Sequence, residues 1–135
     1  MEKIFSLTNP DILLHLILRE NDFQGRTEII EDNNFLQLST LKLEKNQAFP
    51  AHRHLLKKTN FTEFWAQESW VVIKGAVEVT YYDLDDTEIV KKIITEGEVS
   101  VTLKGGHAYR IIENSKVFEF KTGPYFGRDA DKIFI

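Results

Sequence analysis

The chain contains no cysteine, and this absence excludes two kinds of site. Neither a disulfide bond nor a thiolate metal site can form, so any bound metal ion must be held by nitrogen and oxygen ligands. A protein without disulfides also fits a reducing compartment, and we therefore expect a cytoplasmic location.

Long apolar runs and long basic runs are also missing. The longest apolar stretch, residues 12–18, is interrupted by His15 and is far too short to cross a bilayer as a helix. It also lacks the basic start and the small-residue cleavage site of a signal peptide. Lysine pairs at 57–58 and 91–92 are isolated, and the net charge is −4. We therefore expect neither a membrane nor a nucleic acid as a partner.

The length of 135 residues is typical of one domain, and we expect a single domain over residues 1–135. Its first element is predicted to be a short α-helix. Asn9 can cap this helix, Pro10 suits its first position and Asp11 favours its positive end. On a helix, one face would carry the apolar residues Leu13, Leu16 and Ile17.

Short strands separated by turn signals dominate the rest of the chain. Strands are predicted at 35–43, where a change of phase suggests a bulge, and at 70–73, 77–82, 88–94, 99–103, 109–112 and 117–120. Turn signals at intervals of about 8–12 residues are typical of an all-β sandwich or barrel. We expect an N-terminal helix and arm over residues 1–34 and a barrel over residues 35–125.

Two of the four histidines stand one residue apart in "FPAHRHLLKK", and they suggest a metal site. On an extended segment, His52 and His54 project from the same face, where two imidazoles can chelate one ion. A third histidine, His107, follows two glycines. Imidazole ligands suit divalent transition metals such as Zn, Fe, Mn, Ni or Cu.

Two further stretches, "ESWVVIKG" and "GEVSVTLKGGHAY", extend this pattern. Together with the paired histidines, they resemble the two motifs of the cupin superfamily. The resemblance implies a double-stranded β-helix, or jelly-roll barrel, around one divalent metal ion. It also implies the ligands, which are His52, His54, Glu68 and His107.

Glu63 is a competing ligand, because the gap between His54 and Glu68 is long. Glu68 is preferred because six residues separate it from Gly75 and because it shares a strand face with Trp70. The alternative without a metal is a barrel in which these residues only line a cavity. The role of the insertion at 55–67, as a lid, an edge strand or a dimer contact, stays open.

The stretch "VFEFKTGPYFGRDADK" narrows the resemblance. With "FPAHRH" and "ESWVVIKGAVEVTYYD", it is similar to the cupin-fold metalloproteins of the WbuC type, over roughly residues 35–132. Proteins of that type occur with genes for surface polysaccharides. The resemblance therefore implies a small polar ligand, such as a sugar derivative.

A substrate pocket is predicted beside the metal ligands. Trp70 lies two residues after Glu68, and Tyr109 lies two residues after His107. Both combine an apolar face with a hydrogen-bonding tip, which suits the wall of a sugar pocket. Glu119 and Lys121 are predicted polar contributors. The alternatives are that the aromatic residues belong to the core and that the charged pair is an ordinary solvated strand face.

Three functions remain open at this point. The first is a metal-dependent enzyme acting on a small polar molecule in surface-polysaccharide metabolism. The second is a non-catalytic module that binds a small ligand or a metal. The third is a metal-independent nucleotide-sugar epimerase or ketoisomerase, with a histidine as base and a tyrosine as acid.

We also expect a homodimer, because the sequence holds aromatic residues beyond its strand pattern. Exposed together, they would form an apolar patch larger than monomers usually carry. These residues are Phe61, Phe64, Trp65 and the final "KIFI".

Overall fold

The computed structural model describes residues 1–22, 26–31, 34–41, 45–48, 50–54, 64–123 and 132–135. Apart from a 3₁₀ turn at Glu20–Asp22, their regular structure is β. The strands are β1 (Glu2–Phe5), β2 (Leu13–Leu18), β3 (Arg26–Glu28), β4 (Ser39–Leu41), β5 (Glu68–Lys74), β6 (Ala76–Tyr82), β7 (Glu88–Thr95), β8 (Val99–Thr102), β9 (Gly106–Ile111) and β10 (Lys116–Lys121).

All pairings between these strands are antiparallel. The largest sheet has the order β1-β2-β8-β5-β10, a second has the order β7-β6-β9, and β3 pairs with β4. The predicted all-β class is therefore confirmed. Within the described ranges, no helix is long and apolar enough to cross a bilayer.

The main core lies between the five-stranded and the three-stranded sheets. The five-stranded sheet contributes Ile4, Ile17 and Val72, and the three-stranded sheet contributes Val77, Val79, Tyr81 and Ile94. Val77, Val79 and Tyr81 recur at every second position of β6, so their side chains leave the same face of the strand. This cluster fixes how the two sheets face each other, and so it positions the inner faces of β5 and β9.

The opposite face of the five-stranded sheet is also covered. Leu16 and Leu18 of β2 and Val101 of β8 are buried there against Ile30, and Leu36 and Leu38 pack on the same cluster. Because Val99 and Val101 face this cluster, the alternate residues Ser100 and Thr102 face the space between the two sheets. Strand β8 thus presents its polar face to the interior.

The predicted N-terminal helix is wrong, because residues 13–18 form strand β2. A run that is apolar apart from His15 fits a helix, but it fits equally well a strand that is covered on both faces. Strands β1 and β8 flank β2, and the two core clusters cover its faces. Asn9 caps a turn instead, since its carbonyl accepts a hydrogen bond from the Ile12 amide (3.0 Å). The N-terminal segment therefore belongs to the sheet and is not an arm beside it.

The strands predicted from residue 70 onward each coincide with a strand of the structure, except that residues 103 and 112 lie one residue beyond the ends of β8 and β9. Of the predicted strand 35–43, residues 39–41 form β4, and residues 42–43, where the strand was to end, lie outside the described residues. Glu63, Phe61, most of the 55–67 insertion and residues 124–131 lie outside them as well.

Candidate functional site

A row of polar side chains crosses the inner face of the five-stranded sheet. His15 of β2 pairs in register with Thr102 of β8, Thr102 pairs with Glu68 of β5, and Glu68 pairs with Lys121 of β10. The row thus joins residues that are far apart in sequence. The three-stranded sheet faces it, with His107 beside Tyr81 in the β9–β6 register.

Glu68 and His107 meet across the two sheets. The Nε2 atom of His107 lies 3.1 Å from Oε1 of Glu68, and both side chains are largely buried. Burial acts to raise the pKa of Glu68, but the hydrogen bond and charge of His107, together with the charges of Lys132 and Lys121, hold this pKa below its ordinary value. The carboxylate is therefore a strong hydrogen-bond acceptor inside the protein.

Two buried polar atoms, one within this pair and one beside it, have no hydrogen-bond partner among the described residues. They are Nδ1 of His107 and the hydroxyl of Tyr109. Burial, followed by the charge of Glu68, raises the pKa of Tyr109, so its hydroxyl stays protonated. Ser100 acts to lower the pKa of Tyr109, against the effect of burial, but the hydroxyl of Ser100 is hydrogen-bonded to Tyr81 (2.7 Å). Buried polar atoms are normally satisfied, so these two atoms point to a bound ligand or water.

The predicted pocket aromatics stack on each other. The ring centroids of Trp70 and Tyr109 are 3.8 Å apart, and their planes differ by 8°. The indole N–H of Trp70 donates to Glu119 (3.2 Å), whose carboxylate lies 3.9 Å from Nζ of Lys121. Both aromatics also pack against the main core cluster. The Trp70–Tyr109 pair therefore forms part of the cavity wall and also packs against the core.

These side chains line one cavity of about 850 Å³. This volume lies within the range of small-molecule sites. Among its lining residues are six of the residues selected from the sequence, namely Glu68, Trp70, His107, Tyr109, Glu119 and Lys121. The carboxylates, the lysine and the imidazole therefore share one space with an aromatic platform.

Sequence reasoning missed other residues of the cavity, including Tyr82, Asp83, Thr102 and Lys132. Thr102 could have been found from the alternation of Val99, Val101 and Leu103, which assigns Thr102 to the other face of the strand. Lys132 and Asp83 carry no such signal. Asp83 comes to the cavity through the connection between β6 and β7, and Lys132 belongs to the stretch that follows the last described strand, β10.

His15 lies directly behind this cavity and is fully buried. Its Nδ1 is 3.2 Å from the hydroxyl of Thr102, and its Nε2 is 3.2 Å from the carbonyl oxygen of Tyr82. Burial is the main cause that lowers the pKa of His15 to about 4. The ring is therefore neutral near pH 7, and it holds the Thr102 hydroxyl in place by a hydrogen bond. In the sequence, His15 stands out only as an interruption of an apolar run.

His52 and His54 are exposed, and they do not line the cavity. Their ring centroids are 5.3 Å apart, and His52 donates to the carbonyl oxygen of Pro50 (3.0 Å). In the part of the chain that is described, no group of three or more histidine, aspartate or glutamate side chains could hold a metal ion. The structure thus brings together Glu68 with His107, and His52 with His54, but it does not assemble these four into one site.

In comparisons with protein families, curated proteins and solved structures, nothing matches the chain.

Proposed function

We propose that the protein binds a small polar molecule, such as a sugar derivative, in the 850 Å³ cavity and transfers a proton with the Glu68–His107 pair. The observation that carries the proposal is the 3.1 Å contact of this pair inside a cavity walled by stacked aromatics. A cupin-type barrel is part of the same proposal. Support for it comes from the two facing antiparallel sheets.

The cavity offers the contacts that a sugar ring requires. The stacked pair of Trp70 and Tyr109 supplies an apolar platform, and the carboxylates of Glu68 and Glu119 can accept hydrogen bonds from hydroxyl groups. Lys121 adds a donor at the same wall. This combination of an apolar face and a few converging polar groups is typical of sites for small polar ligands.

The Glu68–His107 pair is suited to proton transfer by its arrangement. A carboxylate that accepts a hydrogen bond from an imidazole fixes the orientation and tautomer of the ring. The imidazole can then exchange a proton with a ligand held beside it. This arrangement corresponds to the metal-independent epimerase or ketoisomerase suggested by the sequence. Tyr109, which is protonated and adjacent to His107 (ring centroids 5.0 Å), is the candidate acid.

The test combines ligand binding with hydrogen exchange. Nucleotide sugars, free hexoses and small carboxylates are screened by thermal shift, and any compound that binds is incubated with the protein in D₂O. We expect deuterium to enter the carbon-bound position that the pair deprotonates, as read by NMR. His107→Asn and Glu68→Gln should lower the exchange rate by about 10²-fold or more.

The control variants are His52→Asn and Glu113→Gln, which change an exposed histidine and an exposed glutamate outside the cavity. Both should bind and exchange like the unchanged protein. The proposal fails if no compound in the panel binds, or if His107→Asn exchanges as fast as the controls.

A metal-dependent enzyme is the second candidate, and it too rests on Glu68 and His107. Together with the adjacent rings of His52 and His54, this pair presents three imidazoles and one carboxylate, which are donors for Zn, Fe, Mn, Ni or Cu. The candidate requires the 52–54 segment to approach the cavity, which it does not line in this structure.

Metal content separates the two candidates. Protein purified without an affinity tag is analysed by elemental mass spectrometry, alongside the double variant His52→Ala/His54→Ala. If the four residues hold a metal, the unchanged protein should contain about one ion per chain. The double variant should then contain almost none while keeping its circular dichroism spectrum. Full metal occupancy in the double variant would exclude this ligand set.

A further inference from the structure

A chain of hydrogen bonds behind the cavity has a fixed direction, which the two nitrogens of His15 determine. Nε2 lies 3.2 Å from the carbonyl oxygen of Tyr82, and a carbonyl oxygen can only accept, so Nε2 carries the ring hydrogen. The ring is neutral near pH 7, because burial lowers its pKa to about 4. Nδ1 therefore has no hydrogen, and it accepts a hydrogen bond from the hydroxyl of Thr102 (3.2 Å).

This direction decides what Thr102 can offer to a ligand. A threonine hydroxyl has one hydrogen and two lone pairs. Because the hydrogen is donated to His15, the oxygen can only accept a further hydrogen bond. Thr102 is 3% exposed, and it is one of the residues that line the cavity. A ligand atom that binds this oxygen must therefore bring a hydrogen of its own.

The surroundings of His15 hold its ring in this orientation. The residue is fully buried, and its ring centroid lies 4.6 Å from that of Tyr81. Gly105 packs against another side, since a Cβ atom there would lie 3.3 Å from Nε2 of His15 and 2.5 Å from the carbonyl oxygen of Tyr82. A ring turned by 180° would lose both of its hydrogen bonds inside the protein, which is unfavourable. The packing thus makes Thr102 a permanent acceptor.

Glu68 is a second acceptor beside Thr102. The two residues face each other in the β5–β8 register, and the Cβ atoms of such a pair are about 4.5–5.5 Å apart. Oε1 of Glu68 contacts His107, but a carboxylate has two oxygens and about four lone-pair sites. Both Glu68 and Thr102 line the cavity. Two acceptors at this spacing match two hydroxyl groups on neighbouring carbon atoms, because each hydroxyl can donate to one of them.

We propose that the cavity selects a vicinal diol, with one hydroxyl donating to Glu68 and its neighbour donating to Thr102, which His15 positions as an acceptor. The inference rests on the proposed function, because it names the part of a sugar that the site recognises. Pyranose rings carry such neighbouring hydroxyls. Deoxy sugars, O-methyl ethers and simple carboxylates lack one or both donors. A site built to bind a hydroxyl group discriminates strongly against analogues without it.

NMR of the histidine ring tests the direction of the chain without any ligand. Long-range ¹H–¹⁵N spectra at pH 7 should show Nε2 of His15 protonated and Nδ1 unprotonated, with the signals assigned by their absence in His15→Gln. Thr102→Val removes the donor to Nδ1, so the Nδ1 signal should shift while Nε2 stays protonated. A hydrogen on Nδ1 would make Thr102 a donor and would overturn the proposal.

Binding to simple sugars tests the selectivity. The probes are the methyl glycosides of glucose, galactose and mannose, titrated by NMR. Thr102→Val should weaken the glycoside that binds best by about 3–10-fold, because one hydrogen bond to a neutral acceptor is lost. Thr102→Ser keeps the hydroxyl and should bind like the unchanged protein. The matched control is Thr80→Val, which changes a buried threonine outside the cavity lining and should leave binding unchanged.

Monodeoxy analogues of the same glycoside identify the two hydroxyls. In the unchanged protein, two neighbouring positions should be sensitive, with a loss of about 3–10-fold at the hydroxyl that donates to Thr102. The loss at the other hydroxyl should be larger, because its acceptor is charged. In Thr102→Val, removal of the first hydroxyl should have no further effect, whereas removal of the second should keep its full effect. The first part of this test needs no variant.

The outcomes separate this proposal from the proton-transfer function. Selective binding of the diol without deuterium exchange would overturn only the proton transfer. Exchange with a ligand whose deoxy analogues all bind equally well would overturn only the diol selectivity, as would two sensitive positions that are not neighbours. Equal losses for the deoxy analogues in Thr102→Val and the unchanged protein would exclude Thr102 as the acceptor. If no glycoside binds, both proposals fail.

Discussion

His15 is a buried histidine whose two ring nitrogens are both satisfied within the protein. Its folded-state pKa of about 4 lies below the ordinary value of 6.5, mainly because burial disfavours the charged ring. His107 lowers this pKa further, while the Tyr82 carbonyl and Asp83 act against the shift. Protonation of His15 therefore favours unfolding.

The stability of the protein should depend on this residue in mildly acidic solution. The contribution of His15 is fully present above pH 6.5 and is lost as the pH falls towards 4. The complete loss amounts to about 3 kcal/mol. Urea unfolding at pH 7, 6, 5 and 4.5 should show most of this decline in the free energy of unfolding. Staying above pH 4.5 keeps Glu68 and Asp83, whose lowered pKa values act at lower pH, out of the measurement.

The matched variants are His15→Gln and His54→Gln, the second of which changes an exposed histidine. The first should be less stable at pH 7 and nearly flat between pH 7 and 4.5, whereas the second should follow the unchanged protein. If His15→Gln retained the full decline, another group would be responsible for it.

At the scale of the element, the turn between β5 and β6 depends on Gly75. Its φ angle is +92°, in the region that favours glycine. A Cβ atom at this position would lie 2.6 Å from the carbonyl oxygen of Asn114 and 2.9 Å from Cα of Ser115. Because these are backbone atoms, a rotamer change cannot relieve the contact. The turn and the segment before β10 are thus packed against each other.

Replacing Gly75 with alanine should therefore lower the free energy of unfolding by more than the strain of a positive φ angle alone would. Gly97 is the matched control, because its φ angle is +81° but no atom lies within 4 Å of the added Cβ. Gly97→Ala should lower the free energy of unfolding by about 1 kcal/mol. Gly75→Ala should lower it by about 2–4 kcal/mol, because backbone overlap is added to the strain. Chemical denaturation measures both, and equal losses would mean that the turn adapts without cost.

Strands β6, β2 and β1 show which strands can be predicted from the sequence and which cannot. Val77, Val79 and Tyr81 face the core while their neighbours are more polar, so the alternation predicts β6 directly. Strand β2 has no alternation, because core clusters cover both of its faces, and its apolar run therefore predicts a helix in place of a strand. Strand β1 escaped prediction because it is short and buries only Ile4.

At the scale of the whole molecule, the site was predictable only where residues share a strand. Parity along β5 and β9 places Trp70 beside Glu68 and Tyr109 beside His107, and these four do line one cavity. His15 joins them because β2 and β5 flank β8, an order that differs from the order in the chain. No local pattern encodes that arrangement. The predicted union of His52 and His54 with Glu68 and His107 depended on such long-range placement, and it stays a prediction.

The two tryptophans of the chain, Trp65 and Trp70, both line the cavity. Light absorbed selectively by indole is therefore emitted from the wall of the candidate site and from nowhere else in the protein. The emission maximum of an indole follows the polarity around it, and Trp70 lies against a phenol ring and a carboxylate, those of Tyr109 and Glu119. Without any added label, the protein's fluorescence thus combines the emission of Trp65, which is 59% exposed to solvent, with that of the half-buried Trp70, so a change at the Trp70 wall appears as a partial shift of the emission maximum.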